Sequence, residues 1–232
     1  MKIHLLILAL WVGLFAAGQA QAAFFRGLGD IPAGFQEATA FGISADGLVV
    51  VGGGEGPYAD EAFRWTLQGG IEGLGFLPGG EASMALAVSA DGRVVVGYSH
   101  CDAGREAFRW TPAEGMVGLG DLPGGAFNSM AHGVSADGAV VVGAGATPSG
   151  DTACIWIGGG LFDLQSFLVE RYGLDLTGWR LTAAKLLSGD GQTIVGYGLN
   201  PDGEVEAWVA HIGARTASAP LAAPKNLHIV FE

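Results

Sequence analysis

Four aspartates recur with a near-constant neighbourhood, Asp46, Asp91, Asp137 and Asp190, each followed by glycine. Loop carboxylates are hard oxygen donors that could take Ca²⁺, and Asn200-Pro201-Asp202-Gly203-Glu204 faintly resembles a calcium loop. Calcium wants about six to eight oxygens converging on one point. Each Asp-Gly here stands alone in its own stretch, so the residues read as tight turns. Ser99-His100-Cys101-Asp102 places a nucleophile beside a base. Neighbours in a loop rarely point at one another, and triads assemble through the fold. That stretch reads as a polar loop. His132 and Lys185 hold one repeat position that Phe41 and Leu86 hold elsewhere. Polar residues that break a repeat's symmetry are where a site would sit, but the favoured reading is a position that tolerates many side chains.

Other candidates are weaker still. Glu170 and Asp175 are the nearest pair of acids for a glycan hydrolase or lyase, which needs carboxylates about 5–10 Å apart. Trp179 and Trp208 could serve a lectin-like site as stacking platforms. Arg64 and Arg109 are expected to pair structurally with Glu61, Glu106 or the Asp turns, or to stack on aromatic rings. There is no P-loop, His-Glu-x-x-His, Cys-x-x-Cys or Gly-x-Ser-x-Gly. The Gly-x-Gly runs at 27, 73, 118 and 196 carry Pro where a dinucleotide fingerprint needs its third Gly. The sequence therefore assigns no catalytic, cofactor-binding or metal-binding residue, and it implies no cofactor.

The elements that would position these residues form a repeat. Ser-Ala-Asp-Gly at 44–47 returns at 89–92 and 135–138, and as Ser-Gly-Asp-Gly at 188–191. The aspartates are 45 residues apart from 46 to 91, 46 from 91 to 137 and 53 from 137 to 190. Glu-Ala-Phe-Arg-Trp follows at 61–65 and 106–110, decays to Thr152–Trp156, and returns as Glu206–Ala210. Within one unit the segment 84–89, the Val94–Val96 triplet, Glu106–Thr111 and Met116–Leu122 read as four short strands joined by turns. Such a unit is the size of one propeller blade. One blade cannot stand alone, because ordering each residue costs about 1–2 kcal/mol and each buried aliphatic side chain returns only about 1.5–3 kcal/mol. The blades must stack. Small residues before each turn suit a crowded innermost strand.

The expected fold is all-β and propeller-like, with four blades of about 45 residues. Phe24–Ile31 has the phase of a fourth strand, and 181–212 supplies three strands without a fourth. Joining the two would let the N-terminal strand close the last blade. The alternatives are an open stack, or a partial ring completed by a second chain. The longer third step is explained by one short helix near 163–172, with Asp163 as its cap and Gly173 past its end.

Residues 1–22 read as a signal peptide: Lys2, an apolar run from Leu5 to Ala17, then Ala20-Gln21-Ala22. That run is short of the roughly 20 residues a spanning helix needs. The organisation is thus a signal peptide at 1–22, a single repeat domain at 23–212 and a flexible tail at 213–232. An exported, extracellular or periplasmic protein is expected, with no membrane span after cleavage. Cys101 and Cys154 fall at different repeat positions, and two separate thiols are the expected state.

Half of the 232 residues are apolar and 15% are charged, enough to build a core and exclude wholesale disorder. The 41 glycines lack a three-residue period, which excludes collagen. Eleven Lys and Arg against 23 Asp and Glu give a charge of -12, which disfavours nucleic acid and anionic membranes.

The order and phase of Leu-Gly-Asp-Leu-Pro-Gly-Gly, Val-Ser-Ala-Asp-Gly-x-Val-Val-Val-Gly and Glu-Ala-Phe-Arg-Trp-Thr resemble the bacterial HAF-type extracellular repeat family. The resemblance covers about 24–212 and includes Leu187–Gly196 followed by Glu206–Ala210 as a closing repeat. Where that family has His-Ala-Phe, this chain has Glu61-Ala62-Phe63 and Glu106-Ala107-Phe108. It implies export and a repeat fold and carries no catalytic residue. The expected function is a secreted, non-enzymatic binding or scaffold module, its partner an extracellular protein or glycan. The alternative is a glycan-acting hydrolase or lyase, or a sugar binder, at the 163–179 insertion. Self-association stays open.

Overall fold

The computed structural model describes residues 23, 25–29, 37–55 and 60–213. The leading segment 1–22 and nearly all of the 213–232 tail lie outside the described residues. Among the described residues the fold is all-β with one helix, its strands grouped in four antiparallel meanders. The first sheet is β1 (Glu37–Ile43), β2 (Val49–Glu55), β3 (Asp60–Thr66) and β4 (Gly70–Gly73). The second is β5 (Ser83–Val88), β6 (Val95–Cys101), β7 (Gly104–Thr111) and β8 (Gly115–Gly118). The third is β9 (Ser129–Val134), β10 (Val140–Thr147), β11 (Gly150–Ile157) and β12 (Gly160–Asp163). Helix α1 (Leu164–Tyr172) follows, then a fourth sheet of β13 (Arg180–Leu187), β14 (Thr193–Leu199) and β15 (Val205–His211). No helix among the described residues is long and apolar enough to cross a membrane.

The Asp-Gly pairs build the turn that opens each sheet. Asp46 Oδ1 accepts from the Ser44 hydroxyl at 2.6 Å and from Leu48 N–H at 2.9 Å, while Ser44 Oγ accepts from Val49 N–H at 2.9 Å. The same bonds recur at Asp91, Asp137 and Asp190. The serine hydroxyl first, then the backbone N–H, holds each of these carboxyls below its ordinary 3.8. The glycine after Asp91 sits at φ 70°, a left-handed conformation that L side chains rarely adopt.

Successive sheets are joined through these turns. Ala45 N–H donates to Ala90 C=O at 3.1 Å, Ala90 to Ala136 at 3.1 Å, and Ala136 to Gly189 at 2.8 Å. The first strand of each sheet packs against the first strand of the next, so β1, β5, β9 and β13 are innermost in sequence. Between the sheets lie aromatic and aliphatic side chains with no exposure, including Phe63, Phe108, Val51, Val95, Val96 and Val142. The valine triplets are covered on both faces, as stacking requires.

Each innermost strand carries a bulge at one repeat position. The register skips Phe41 in β1, Leu86 in β5, His132 in β9 and Lys185 in β13. Opposite every bulge stands a glycine of the second strand: Gly52, Gly97, Gly143 and Gly196. A Cβ on any of them would overlap a carbonyl oxygen of the first strand, from Thr39, Met84, Met130 or Ala183. The glycine that ends each Val-Val-Val-Gly or Ile-Val-Gly run thus makes room for the bulge, which re-aims one side chain out of the alternation.

The helix forms where expected. Asp163 Oδ1 accepts from Ser166 N–H at 2.7 Å, and Gly173 closes the C-terminus at φ 64°. Leu164, Phe167 and Leu168 bury its inner face against the third and fourth sheets. The closing strand differs from expectation. Among the described residues the fourth sheet has three strands, and residues 25–29 are not in a strand. Leu28 packs instead on the Phe63, Trp65 and Ile71 cluster of the first sheet. Residues 24, 30 and 31 of the expected strand lie outside the described residues.

A cationic cleft between the second, third and fourth sheets

The bulges at His132 and Lys185 send both side chains into one cleft of about 60 Å³. His132 Nδ1 lies 3.0 Å from the Ala184 carbonyl oxygen. A carbonyl only accepts, so Nδ1 carries the proton and Nε2 presents its lone pair. Lys185 Nζ donates to that Nε2 at 3.3 Å and stands 5.6 Å from the centre of the Tyr197 ring. Arg105, at the start of β7 in the second sheet, closes the other side. Its Nε donates to Asn128 Oδ1 at 2.7 Å, and its guanidinium lies 5.2 Å from the centre of the Tyr98 ring. Asp151 is the acid on the lining.

The opening follows from the repeat. The residue after each bulge-facing glycine is Gly53, Tyr98, Ala144 or Tyr197. In the third sheet it is Ala144, whose small side chain leaves room for the cleft beside Tyr197 of the fourth sheet.

Burial pushes His132 below its ordinary 6.5, and the charge on Lys185 pushes it further the same way. Partial burial also lowers Lys185. At neutral pH the imidazole is uncharged and holds the lysine as an acceptor. Because the native state resists protonation at His132 while the unfolded chain does not, this stabilisation is complete above 6.5 and fades as pH falls through the depressed value. Urea unfolding should therefore show the wild type losing more stability between about pH 7.5 and 5 than His132→Gln does. Parallel slopes would refute the assignment.

The other candidates resolve into structure. Ser99 is buried, its hydroxyl bonded to the Ala82 and His100 carbonyls and accepting from Leu77 N–H at 3.0 Å. Cys101 and Cys154 are both free thiols, and burial raises the Cys154 thiol far above its ordinary range. Residues 200–204 form the β14–β15 turn, with Asn200 Oδ1 accepting from the Asp202 and Glu204 N–H groups. No group of three metal-type ligands exists among the described residues.

Arg109 bonds Glu114 at 3.0 Å, and Arg64 donates to the Gly92 carbonyl rather than to a carboxylate. Glu61 and Glu106 accept from Gly75 and Gly120 N–H at 2.9 Å. At the helical insertion, Asp175 is engaged by Thr177 N–H and hydroxyl. A cavity of about 260 Å³ there is lined by Leu168, Leu176, Trp179, Trp208 and Glu206, without Glu170 or Asp175. Trp179 and Trp208 are half-buried against the core rather than standing as open platforms.

Of the cleft residues, sequence reasoning singled out His132 and Lys185 and missed Arg105, Asn128 and Tyr197. Arg105 carried a signal, since the first copy has Asp60 at its position.

No family model matches the chain, and no curated protein matches it. Among solved structures, TolB from Acinetobacter baumannii matches with 16% identity over 76% of this chain and 43% of its own, at a TM-score of 0.49. A protein designated TolB from Agrobacterium tumefaciens matches with 18% identity over 82% of this chain and 65% of its own, again at 0.49. The chain therefore spans less than two thirds of either.

Proposed function

We propose that this is an exported, non-enzymatic binding module, an arc of propeller blades whose recognition site is the cleft at Arg105, His132 and Lys185. The export signal at 1–22 and the HAF-like repeats support a place outside the cytoplasm. The observation that carries the binding reading is the convergence of two fixed cations on a small cleft in a chain of charge -12. Each cation is held by a neutral partner, His132 for Lys185 and Asn128 for Arg105, so that two cations face the one acid on the lining, Asp151, and neither is ion-paired with it. The ligand group that fits is a carboxylate. The Tyr197 ring and the polar groups of Asn128, Thr182 and Asp151 suit the face and hydroxyls of a sugar, so the ligand class is a uronic-acid-bearing glycan.

Titration calorimetry with oligogalacturonate and with neutral galactan oligosaccharides tests this. The acidic glycan should bind, more weakly as salt rises, and the neutral one should not. Lys185→Gln should weaken binding about tenfold or more, because it removes a charge-assisted hydrogen bond. Equal binding of the neutral glycan, or indifference to Lys185→Gln, would sink the reading.

A further inference from the structure

The fourth sheet keeps a side chain that serves the fourth strand in the first two sheets, and here accepts from Asn200 Nδ2 at 2.9 Å in its place. Glu61 and Glu106 sit at one repeat position, and each carboxylate accepts the N–H of the second glycine in a Gly-Leu-Gly that follows a fourth strand. Each also fills the space over the first glycine of that motif, Gly73 or Gly118. In the third sheet, where Gly-Leu-Gly is replaced by the capped helix, the position is Thr152. Glu206 holds the same position in the fourth sheet, where β15 pairs with β14 and has no strand on its outer edge among the described residues. The chain has one other Gly-Leu-Gly, at 27–29, and the space over Gly27 and Gly29 is open.

The position of Leu28 says which copy of β15 it can serve. Leu74, after β4, packs on the second sheet, and Leu119, after β8, packs on the third. Leu28 packs on the first sheet in the same way, so residues 25–27 lie where the fourth strand of a preceding sheet would lie. Among the described residues of this chain no such sheet is there, because β13 is not packed on β1 as β5 is packed on β1 and β13 on β9. The turn ladder is open at the same place: Gly189 N–H and Ala45 C=O end it with no backbone partner among the described residues. Val205 and Val209 on β15 are 73% and 70% exposed, and Ile43 and Phe41 on β1 are 62% and 50% exposed. These are the two halves of the sheet-to-sheet interface that recurs three times inside the chain.

We infer that a second copy of this chain closes the ring, each copy laying its 25–28 segment beside β15 of the other and stacking its first sheet on the other's fourth. Phe25, wholly exposed here, takes the place of the buried Ile71, and the partner's β15 carries the glutamate that accepts Gly29 N–H. Exchange in both directions uses every free end, which a two-fold dimer satisfies.

The register names the test. Arg109 faces Val117 and Arg64 faces Glu72, so Arg26 should face Val209. Arg26→Cys with Val209→Cys, in a Cys101→Ser background and oxidised with glutathione disulfide, should give a covalent dimer on a non-reducing gel. Light scattering of the unsubstituted protein should give twice the chain mass. A disulfide formed within one chain, the absence of any disulfide, or a monomer by light scattering each overturns the inference. The two exposed positions leave the fold intact for the measurement.

Discussion

Gly143→Ala is expected to destabilise the protein by about 3 kcal/mol and to empty the cleft of its lysine contact. Gly143 is an ordinary strand residue, so the cost is not one of backbone conformation. Its missing Cβ is the space occupied by the Met130 carbonyl oxygen and the Ala131 Cα of the neighbouring strand. An added methyl must push β9 away from β10 or remove the bulge. Either movement carries His132, the bulged residue, away from Ala184 and from Lys185. In a domain of this size about 3 kcal/mol lowers the melting temperature by on the order of 10 °C. A calorimetric scan reads the stability, and the His132 imidazole resonance reads the cleft. A variant that melts with the wild type would show that the strands have slack the packing denies.

Phe108→Ala should be comparably severe, at about 3–5 kcal/mol. The ring is fully buried between the first and second sheets, among Leu74, Leu77, Ala85 and Val95. Surrounding backbone is pinned by strand ladders on both sides and cannot collapse into the void. Trp208, at the same repeat position in the fourth sheet, provides the contrast. It is half-buried at the open edge, and its Nε1 is a buried donor without a partner. Trp208→Ala should therefore cost less than Phe108→Ala, despite the larger side chain. Denaturant midpoints of the two variants settle the order, and the reverse order would contradict the burial seen here.

What could be read from the chain was what is encoded locally. Ser44-Ala45-Asp46-Gly47 and its copies carry their own hydrogen bonds within a few residues, so the turns and their phase were visible. Asp163 and Gly173 are likewise local, and the helix between them fell where its caps placed it. The bulges were invisible, because a one-residue slip in pairing leaves no mark on either strand alone. Without them, His132 and Lys185 read as a position that tolerates many side chains, and nothing tied Arg105, which reaches the cleft from another sheet, to that position. The arginines pair structurally as expected, Arg64 with the Asp91-Gly92 turn, but neither uses the glutamate of its own strand. Glu61 and Glu106 lie three residues before Arg64 and Arg109 but are consumed by glycine N–H groups 14 residues further on.

The turn-to-turn ladder through Ala45, Ala90, Ala136 and Gly189 has a consequence for how such a protein can change. Every rung is made of main-chain atoms, and the same rung joins each sheet to the next. A duplicated or deleted unit of about 45 residues would meet ends already chemically matched to it. The gene can therefore grow or shrink by whole units without inventing a new interface. The one join that cannot be copied so freely is the helix-bearing step between the third and fourth sheets.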